Sequence, residues 1–383
     1  MTDTIRRISW RDLFPWLILL RTFRIAISPP LLALATAAVL IAPLGWRLAG
    51  LVFQPKFESG TTNLPVYQAA GENSFIAQWT PPAVREYLPG AQTAFLEAYQ
   101  QLAEPLARLF RMRITLREMA YYAFGFLWTL ALWSFPGAVI SRHAVVNLAA
   151  ESPPGIVETA RFAARRWHWY VLAPLYPLVP VLIVALGIAI LGLPIRFAPG
   201  AGSILAGLAW IFVAIASLGV LWLFGGLLFG FPLMWPTISA ERDGDAFEAF
   251  SRSYSYVYGK PLHYFFYVVV AALFGALCWA VVSGAATLLQ EFGFWALAWG
   301  GTAAKVEPLR FAALQFALGL PAPPNQGWAF SLGTVLIGLV LCVIHGVVAG
   351  FRFTYFFTVA SAIYLLLRQD VDEKEMDEVF IST

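Results

Sequence analysis

Charge is scarce in this sequence, and the scarcity excludes much. Asp, Glu, Lys and Arg make up 12% of the 383 residues, against about a quarter in an ordinary soluble domain. The net charge of +3 is too small to draw the chain to nucleic acid, and none is expected as a partner. Cysteine is scarcer still. Cys278 and Cys342 are the two, both inside apolar runs, so neither a disulfide framework nor a Cys-based metal site is expected. Four histidines, His143, His168, His263 and His345, are scattered and form no paired-His motif. The first three read as interface anchors. No Gly-rich phosphate loop precedes a Lys-Ser or Lys-Thr pair, and no GxSxG elbow occurs. The expectation is no enzyme, no metal and no cofactor.

What the chain has instead is apolar length. Hydrophobic residues are 60% and aromatic residues 16% of the total. A soluble core does not grow to absorb such an excess, so lipid is the solvent for much of this chain. A membrane helix takes roughly 20 apolar residues. Six stretches qualify, at about 28–54, 116–136, 169–194, 204–231, 263–290 and 331–351. A further apolar segment, FTYFFTVASAIYLLL, follows the last. These runs are too long and too evenly apolar for barrel strands, and backbone groups in lipid must pair within their own segment. The fold class is therefore all-α: a polytopic helical membrane protein, read as a single membrane domain over 1–383. The first run is preceded by a long basic segment and is expected to be retained rather than cleaved.

Lys and Arg set the orientation. Arg6, Arg7, Arg11, Arg21 and Arg24 precede the first span, Arg142, Arg161, Arg165 and Arg166 follow the second, and Arg242, Arg252 and Lys260 follow the fourth. The opposite short loops hold Arg196, Lys305 and Arg310. The positive-inside rule then places both termini in the cytoplasm, and a bacterial inner membrane is the expected location. The segment 55–115 becomes an extracytoplasmic insert and 369–383 an acidic cytoplasmic tail, expected to be mobile. Within the insert, 91–111 reads as a helix, with Phe95, Ala98, Leu102 and Leu106 on one face and Glu97 and Gln101 off it. It is expected to lie on the outer leaflet as a cap. Phe292, Phe294, Trp295 and Trp299 suggest the same for 291–330.

Three polar interruptions share a pattern. A small residue, then Phe, then Pro or Arg recurs at Ser134-Phe135-Pro136, Gly230-Phe231-Pro232 and Gly350-Phe351-Arg352. Gly226 and Gly346 stand four residues before the latter two. Ala150-Glu151 and Ala240-Glu241 follow the first two elements, each leading into an amphipathic segment. Phe247, Phe250, Tyr254 and Val257 form a stripe at helical spacing, as do Ile156, Ala160, Ala163 and Trp167, with Ser152 as a cap before Pro153 and Pro154. Leu13, Trp16, Leu20 and Phe23 offer a third copy. The expectation is three hairpin repeats, each introduced by a cytoplasmic interfacial helix.

The segment ISAE…AFSRSYSYV…P resembles one found in uncharacterised bacterial multi-pass membrane proteins. More distantly, the chain is similar to the membrane domain of some glycerophosphodiester phosphodiesterases. That resemblance transfers no catalytic residue. It implies the architecture and hints at phospholipids.

Candidate residues are few. Gly226, Gly230, Gly346 and Gly350 read as helix-packing positions. Arg352 is the cation in the last apolar stretch and stands where the other two elements have Pro136 and Pro232. A guanidinium there suits an anionic phospholipid headgroup, with His345 seven residues earlier on nearly the same face. Pro174, Pro177 and Pro180 open the third span and read as a kink repaired by neighbours. Every Asp and Glu lies at a span edge or outside, which argues against proton coupling. The leading expectation is a non-enzymatic protein that binds or permeates a lipid or amphipathic molecule. The alternative is a structural or accessory subunit, with a protein partner held by the interfacial helices or the tail.

Overall fold

The computed structural model describes residues 14–55, 94–110, 114–150, 155–317, 319–320, 327–374, 376 and 378–380. The loop expected over 55–90 thus lies almost wholly outside the described residues. So do Leu13, Glu151 and the Ser152, Pro153 and Pro154 cap. The described residues form eleven α-helices and no strand: α1 Ile18–Ala26, α2 Pro29–Phe53, α3 Ala94–Arg108, α4 Leu116–Ala150, α5 Ile156–Leu175, α6 Leu178–Phe197, α7 Pro199–Ala240, α8 Ala246–Gly259, α9 Pro261–Gly301, α10 Ala303–Ala317 and α11 Trp328–Asp372.

Local chemistry fixes several helix ends. The Thr115 hydroxyl accepts from the Glu118 N–H at 3.3 Å, and Glu118 accepts from the Thr115 N–H at 2.8 Å. This reciprocal pair satisfies amide donors at the start of α4. Asp245 accepts from the Glu248 N–H at 2.7 Å and caps α8. Pro29 opens α2 at a position where no N–H is needed, and Gln54 closes it in the left-handed region at φ 43°.

Six segments are long and apolar enough to cross a membrane: α2, α4, α5 with α6, α7, α9 and α11. The third is interrupted by a turn at Tyr176 and Pro177. Four of the others run well past the expected span ends, through Pro136 to Ala150, through Pro232 and Pro236 to Ala240, through Glu291 to Gly301, and through Arg352 to Asp372. At 1.5 Å per residue, the 45 residues of α11 extend roughly 67 Å, about twice a hydrocarbon core. The apolar segment after Arg352 is the continuation of this one helix.

The described chain divides into two compact units. The first comprises Met1–Thr22, Trp133–Val269 and Phe357–Thr383. Its centre is the second half of α11, where Phe357, Val359, Ala360, Ile363, Tyr364 and Leu367 are all buried. A helix apolar on all sides must be surrounded. Trp235 of α7 stacks on Phe357 with ring centroids 5.0 Å apart, and Trp133 of α4 lies 6.1 Å from the same ring. Gly137 leaves the space that the Trp235 indole fills. In contrast, α6 and the first half of α7 expose Leu182, Ile183, Leu186, Leu208, Phe212 and Leu218.

The second unit comprises Phe23–Leu132 and Val270–Phe356. Here α2 and the first half of α4 pack through Trp46, Ala49, Tyr121 and Tyr122. Gly45 and Gly125 make room for the Trp128 and Trp46 rings, and the Trp128 indole donates to the Ala42 carbonyl at 3.0 Å. Phe294, Val306, Ala313 and Leu341 join α9, α10 and α11. Of the aromatic residues expected at the interface over 291–330, Phe294 is buried, while Phe292, Trp295 and Trp299 are exposed.

Candidate functional site

The amphipathic helix of the insert lies inside the second unit. Its apolar face is covered, with Ala98 and Leu102 buried. Its polar face is covered as well: Gln100, Gln101 and Glu104 are 7%, 9% and 5% exposed. A cap on the outer leaflet would leave that face in water. The start of α3 meets α11, where the Tyr99 and Phe356 rings lie 6.3 Å apart. Its end meets α4, where the Arg108 guanidinium donates to the Tyr122 hydroxyl at 3.2 Å and lies 5.6 Å from the ring centroid. The helix therefore runs lengthwise beside two candidate spans.

Positions 100, 101, 104 and 108 fall on one helical face at i, i+1, i+4 and i+8. Arg108 Nε donates to Glu104 Oε1 at 3.0 Å, and its Nη2 reaches the same oxygen. The pair is one helical turn apart and is shielded from water on the Glu104 side. Beside it, the Gln100 amide oxygen is buried with no hydrogen-bond partner among the described residues. Burying a polar group without a partner is unfavourable by about 1–3 kcal/mol, so this face is polar beyond what packing uses. The sequence argument that carboxylates stay at span edges or outside does not fit α9, which runs to Gly301 and so takes in Glu291. It also misses Glu104, a buried carboxylate on a helix that is not a candidate span.

Arg352 and His345 also lie in the second unit, on α11, opposite α9. The Arg352 guanidinium sits 4.1 Å over the Trp279 ring. His345 Nε2 lies 3.5 Å from Gln290 Nε2, and its Nδ1 is buried without a partner among the described residues. Seven residues separate the two by roughly 10 Å along the helix, so they occupy successive levels of one seam. The packing glycines are close-approach positions. A Cβ on Gly350 would lie 2.9 Å from the Thr36 backbone nitrogen, and one on Gly346 would lie 3.3 Å from Leu40 and Thr36 carbons. In the first unit, a Cβ on Gly230 would lie 3.2 Å from the Ser253 hydroxyl oxygen, and one on Gly226 would fall within the Tyr254 ring.

The first unit holds a second polar cluster, at the end of α7. Glu241 Oε1 accepts from the Tyr364 hydroxyl at 2.9 Å and pairs with Arg368 Nε at 3.0 Å and Arg252 Nη1 at 3.4 Å. Asp372 pairs with the same Arg252 nitrogen at 2.9 Å and accepts from the Tyr256 hydroxyl at 2.6 Å. Burial, and the Asp372 carboxylate accepting its proton, push the Tyr256 phenol up. The carbonyls that α7 leaves open at its end are met by cations, as a helix C-terminus favours. Arg142 donates to Ser239 O at 2.7 Å and Arg166 to Glu241 O at 3.2 Å. Phe380 N–H donates to Ala240 O at 3.1 Å, and Arg368 Nη2 donates to Glu378 O at 2.6 Å. Residues 378–380 of the tail are thus docked rather than free, because they complete the end of α7.

This cluster pairs its charges internally and works as a clamp, although Arg368 Nη1 is buried without a hydrogen-bond partner among the described residues. The face of α3 leaves the Gln100 amide oxygen unpaired beside a buried ion pair, has no part in holding a helix end, and is the candidate site. Among the described residues no three His, Cys, Asp or Glu side chains gather as a metal would require. No family model, curated protein or solved structure matches the chain.

Proposed function

We propose that this chain is a non-enzymatic, multi-pass protein of the bacterial inner membrane that binds or permeates a lipid or other amphipathic molecule. The observation that carries the reading is the buried polar face of α3. Irregular or polar segments persist at membrane depth only where they are enclosed by protein or line a polar path. A helix with apolar Ala98 and Leu102 on one side and Gln100, Gln101 and Glu104 on the other matches a ligand that is itself half polar. Arg352 against Trp279 is a second headgroup position, suited to an anionic phospholipid.

The finer architecture belongs to the same proposal. Three hairpins, each led by a cytoplasmic interfacial helix, with α1, α5 and α8 as those helices, account for the recurring small-Phe-Pro/Arg element. The stripe of Phe247, Phe250 and Tyr254, reinforced by Tyr176 and Trp222, has the make-up of an aromatic belt. Both termini then face the cytoplasm. The distant likeness to phosphodiesterase membrane domains points the same way, towards phospholipid.

The test is gentle extraction followed by native mass spectrometry. The lipid reading expects phospholipid retained in a fixed ratio after exchange into a mild detergent. A protein retained in fixed ratio, with no lipid, would instead support an accessory subunit. Retention of neither would overturn the proposal.

A further inference from the structure

Two stripes of polar side chains face each other along α9 and α11 in the second unit. On α9, Trp279, Ser283, Thr287 and Gln290 fall within roughly 80° of arc at about 100° per residue. On α11, His345 and Arg352 lie about two turns apart on one face. The stripes meet at two levels: the Arg352 guanidinium lies 4.1 Å over the Trp279 ring, and His345 Nε2 lies 3.5 Å from Gln290 Nε2. Ser283 and Thr287 fill the interval. Their hydroxyls donate to Trp279 O at 2.7 Å and to Ser283 O at 3.0 Å, which leaves each hydroxyl oxygen able to accept. From Trp279 to Gln290 the line covers about 16 Å, roughly half a hydrocarbon core. Glu291, paired with Arg310, stands one residue beyond.

Both segments belong to candidate membrane spans. Polar side chains in spans ordinarily turn inward and bond one another as glue between helices. These do neither fully. Trp279, Ser283, Gln290, His345 and Arg352 are half-buried, and Thr287 is exposed. Leu277, Leu288, Val340 and Val343 on the same two helices are exposed, and on a span such residues meet acyl chains. A nitrogen-to-nitrogen separation of 3.5 Å is a long contact, and His345 Nδ1 has no partner among the described residues. The seam therefore holds more hydrogen-bonding capacity than joining α9 to α11 uses, and it holds it at a face open to lipid.

We infer that this seam is a headgroup path for glycerophospholipids. The lipid sets its phosphodiester headgroup against the polar line and keeps its acyl chains among the flanking leucines and valines. The headgroup passes the Trp279–Arg352 level, Ser283, Thr287 and the Gln290–His345 level in turn, and the lipid changes leaflet with no energy input and no bond made or broken. The physical reason is desolvation. A headgroup crossing pure hydrocarbon gives up its hydrogen bonds with nothing in exchange. Along the seam, imidazole and amide donors and hydroxyl and amide acceptors recur about once per helical turn. This inference rests on the lipid-permeation reading and gives it a route and a substrate class.

The experiment reconstitutes the full chain in vesicles of phosphatidylcholine and phosphatidylglycerol. A trace of the phosphatidylglycerol carries a fluorophore on one acyl chain, so its headgroup is native. Dithionite added outside bleaches only label that is in, or reaches, the outer leaflet. The parent is expected to bring inner-leaflet label out while an entrapped fluorescent sugar stays protected. Bleaching of that sugar would mean leak rather than lipid movement and overturns the path. Gln290→Leu with His345→Leu makes the seam apolar at one level. It is expected to slow the movement by about tenfold or more, a rise of about 1.4 kcal/mol in the barrier. Gln290→Asn with His345→Gln keeps polar atoms there and is expected to stay near the parent rate, which separates polarity from folding. Leu218→Ala, on the exposed face of α7, is expected to change nothing. Movement that survives the leucine pair, or that the polar pair or Leu218→Ala slows equally, overturns the seam and leaves lipid permeation by another route standing. If the parent moves no lipid, the path falls, and the broader reading then stands or falls on lipid retained in fixed ratio.

Discussion

Trp235 donates its indole N–H to the carbonyl oxygen of Tyr170 at 2.9 Å, and that oxygen is the one that Pro174, four residues on, leaves without a helical donor. Proline has no N–H, so its place inside α5 orphans one carbonyl. In lipid or in a buried core such a group needs a partner from elsewhere. The same indole stacks on Phe357, so one side chain repairs α5 and packs against α11.

Trp235→Phe keeps an aromatic ring, loses part of the indole volume and removes the donor. It is expected to destabilise the protein by about 1–3 kcal/mol through the unpaired Tyr170 oxygen, read as a lower unfolding midpoint in detergent. Pro174→Ala returns an N–H to that oxygen. In the Pro174→Ala background the cost of Trp235→Phe is expected to shrink. A cost that stays the same in both backgrounds would show that Trp235 matters only as a packing ring.

Gly350→Leu and Gly187→Leu make the same chemical change in two settings. A Cβ at Gly350 would lie 2.8 Å from the Thr36 hydroxyl oxygen, whereas at Gly187 nothing lies within 4 Å. The Gly350 variant is expected to lose about 1–3 kcal/mol from overpacking. The Gly187 variant is expected to unfold at or above the parent temperature, since Gly is a poor helix residue. Equal midpoints would remove the case for close packing of α2 on α11.

Glu241→Gln removes the charge that Arg368 and Arg252 share. Arg368 is buried, so its guanidinium would be left without its carboxylate, at a cost of about 3 kcal/mol. Asp372 still holds Arg252, so most of the loss is expected at Arg368. Protease cleavage of the tail after Phe380 loses its anchor on α7 is the measurement: faster trimming than in the parent is expected, and an unchanged rate would make the Glu241 cluster dispensable for holding the tail.

Topology is checked by thiol labelling in a background without Cys278 and Cys342. Ser251→Cys lies on the exposed side of α8 and is expected to react with an impermeant reagent only after the membrane is opened. Ser74→Cys is expected to react in intact cells. Labelling of position 251 from outside would reverse the orientation.

Arg352→Lys and Arg352→Gln separate anchoring from headgroup recognition. Lys keeps a charge on a flexible stem but forms no bidentate fork and stacks less well on Trp279. Loss of co-purified anionic lipid in both variants, with the fold retained, is expected. Unchanged lipid in both would make Arg352 an interfacial anchor.

The spans were legible because lipid imposes a length: runs such as 204–231 have no other stable fate. The α8 helix was legible too, since Phe247, Phe250, Tyr254 and Val257 recur at helical spacing. The fate of α3 was not, because an apolar face bearing Ala98 and Leu102 serves equally on a membrane surface or inside a bundle. Only the rings of Phe356 and Tyr122, supplied by distant segments, decide between them. The overrun of α7 past Pro232 and Pro236 was hidden for a similar reason. A proline reads as a stop unless the structure around it supplies what the helix loses, and Trp235 has no local signal that it does so for Pro174. At the candidate site, Glu97 and Gln101 stood out as a polar face, while the pairing of Glu104 with Arg108 needed only the i,i+4 spacing to be noticed.

The burial of α3 on both faces has a consequence for biogenesis. A segment carrying Gln100, Gln101 and Glu104 is a poor substrate for direct partition from the insertion machinery into lipid, and Tyr99 finds its partner ring, Phe356, on α11, far later in the chain. The contact between Tyr99 and Phe356 therefore cannot form until α11 has been made, long after α3. A chain stalled before α11 would display α3 outside its berth, open to quality-control proteases.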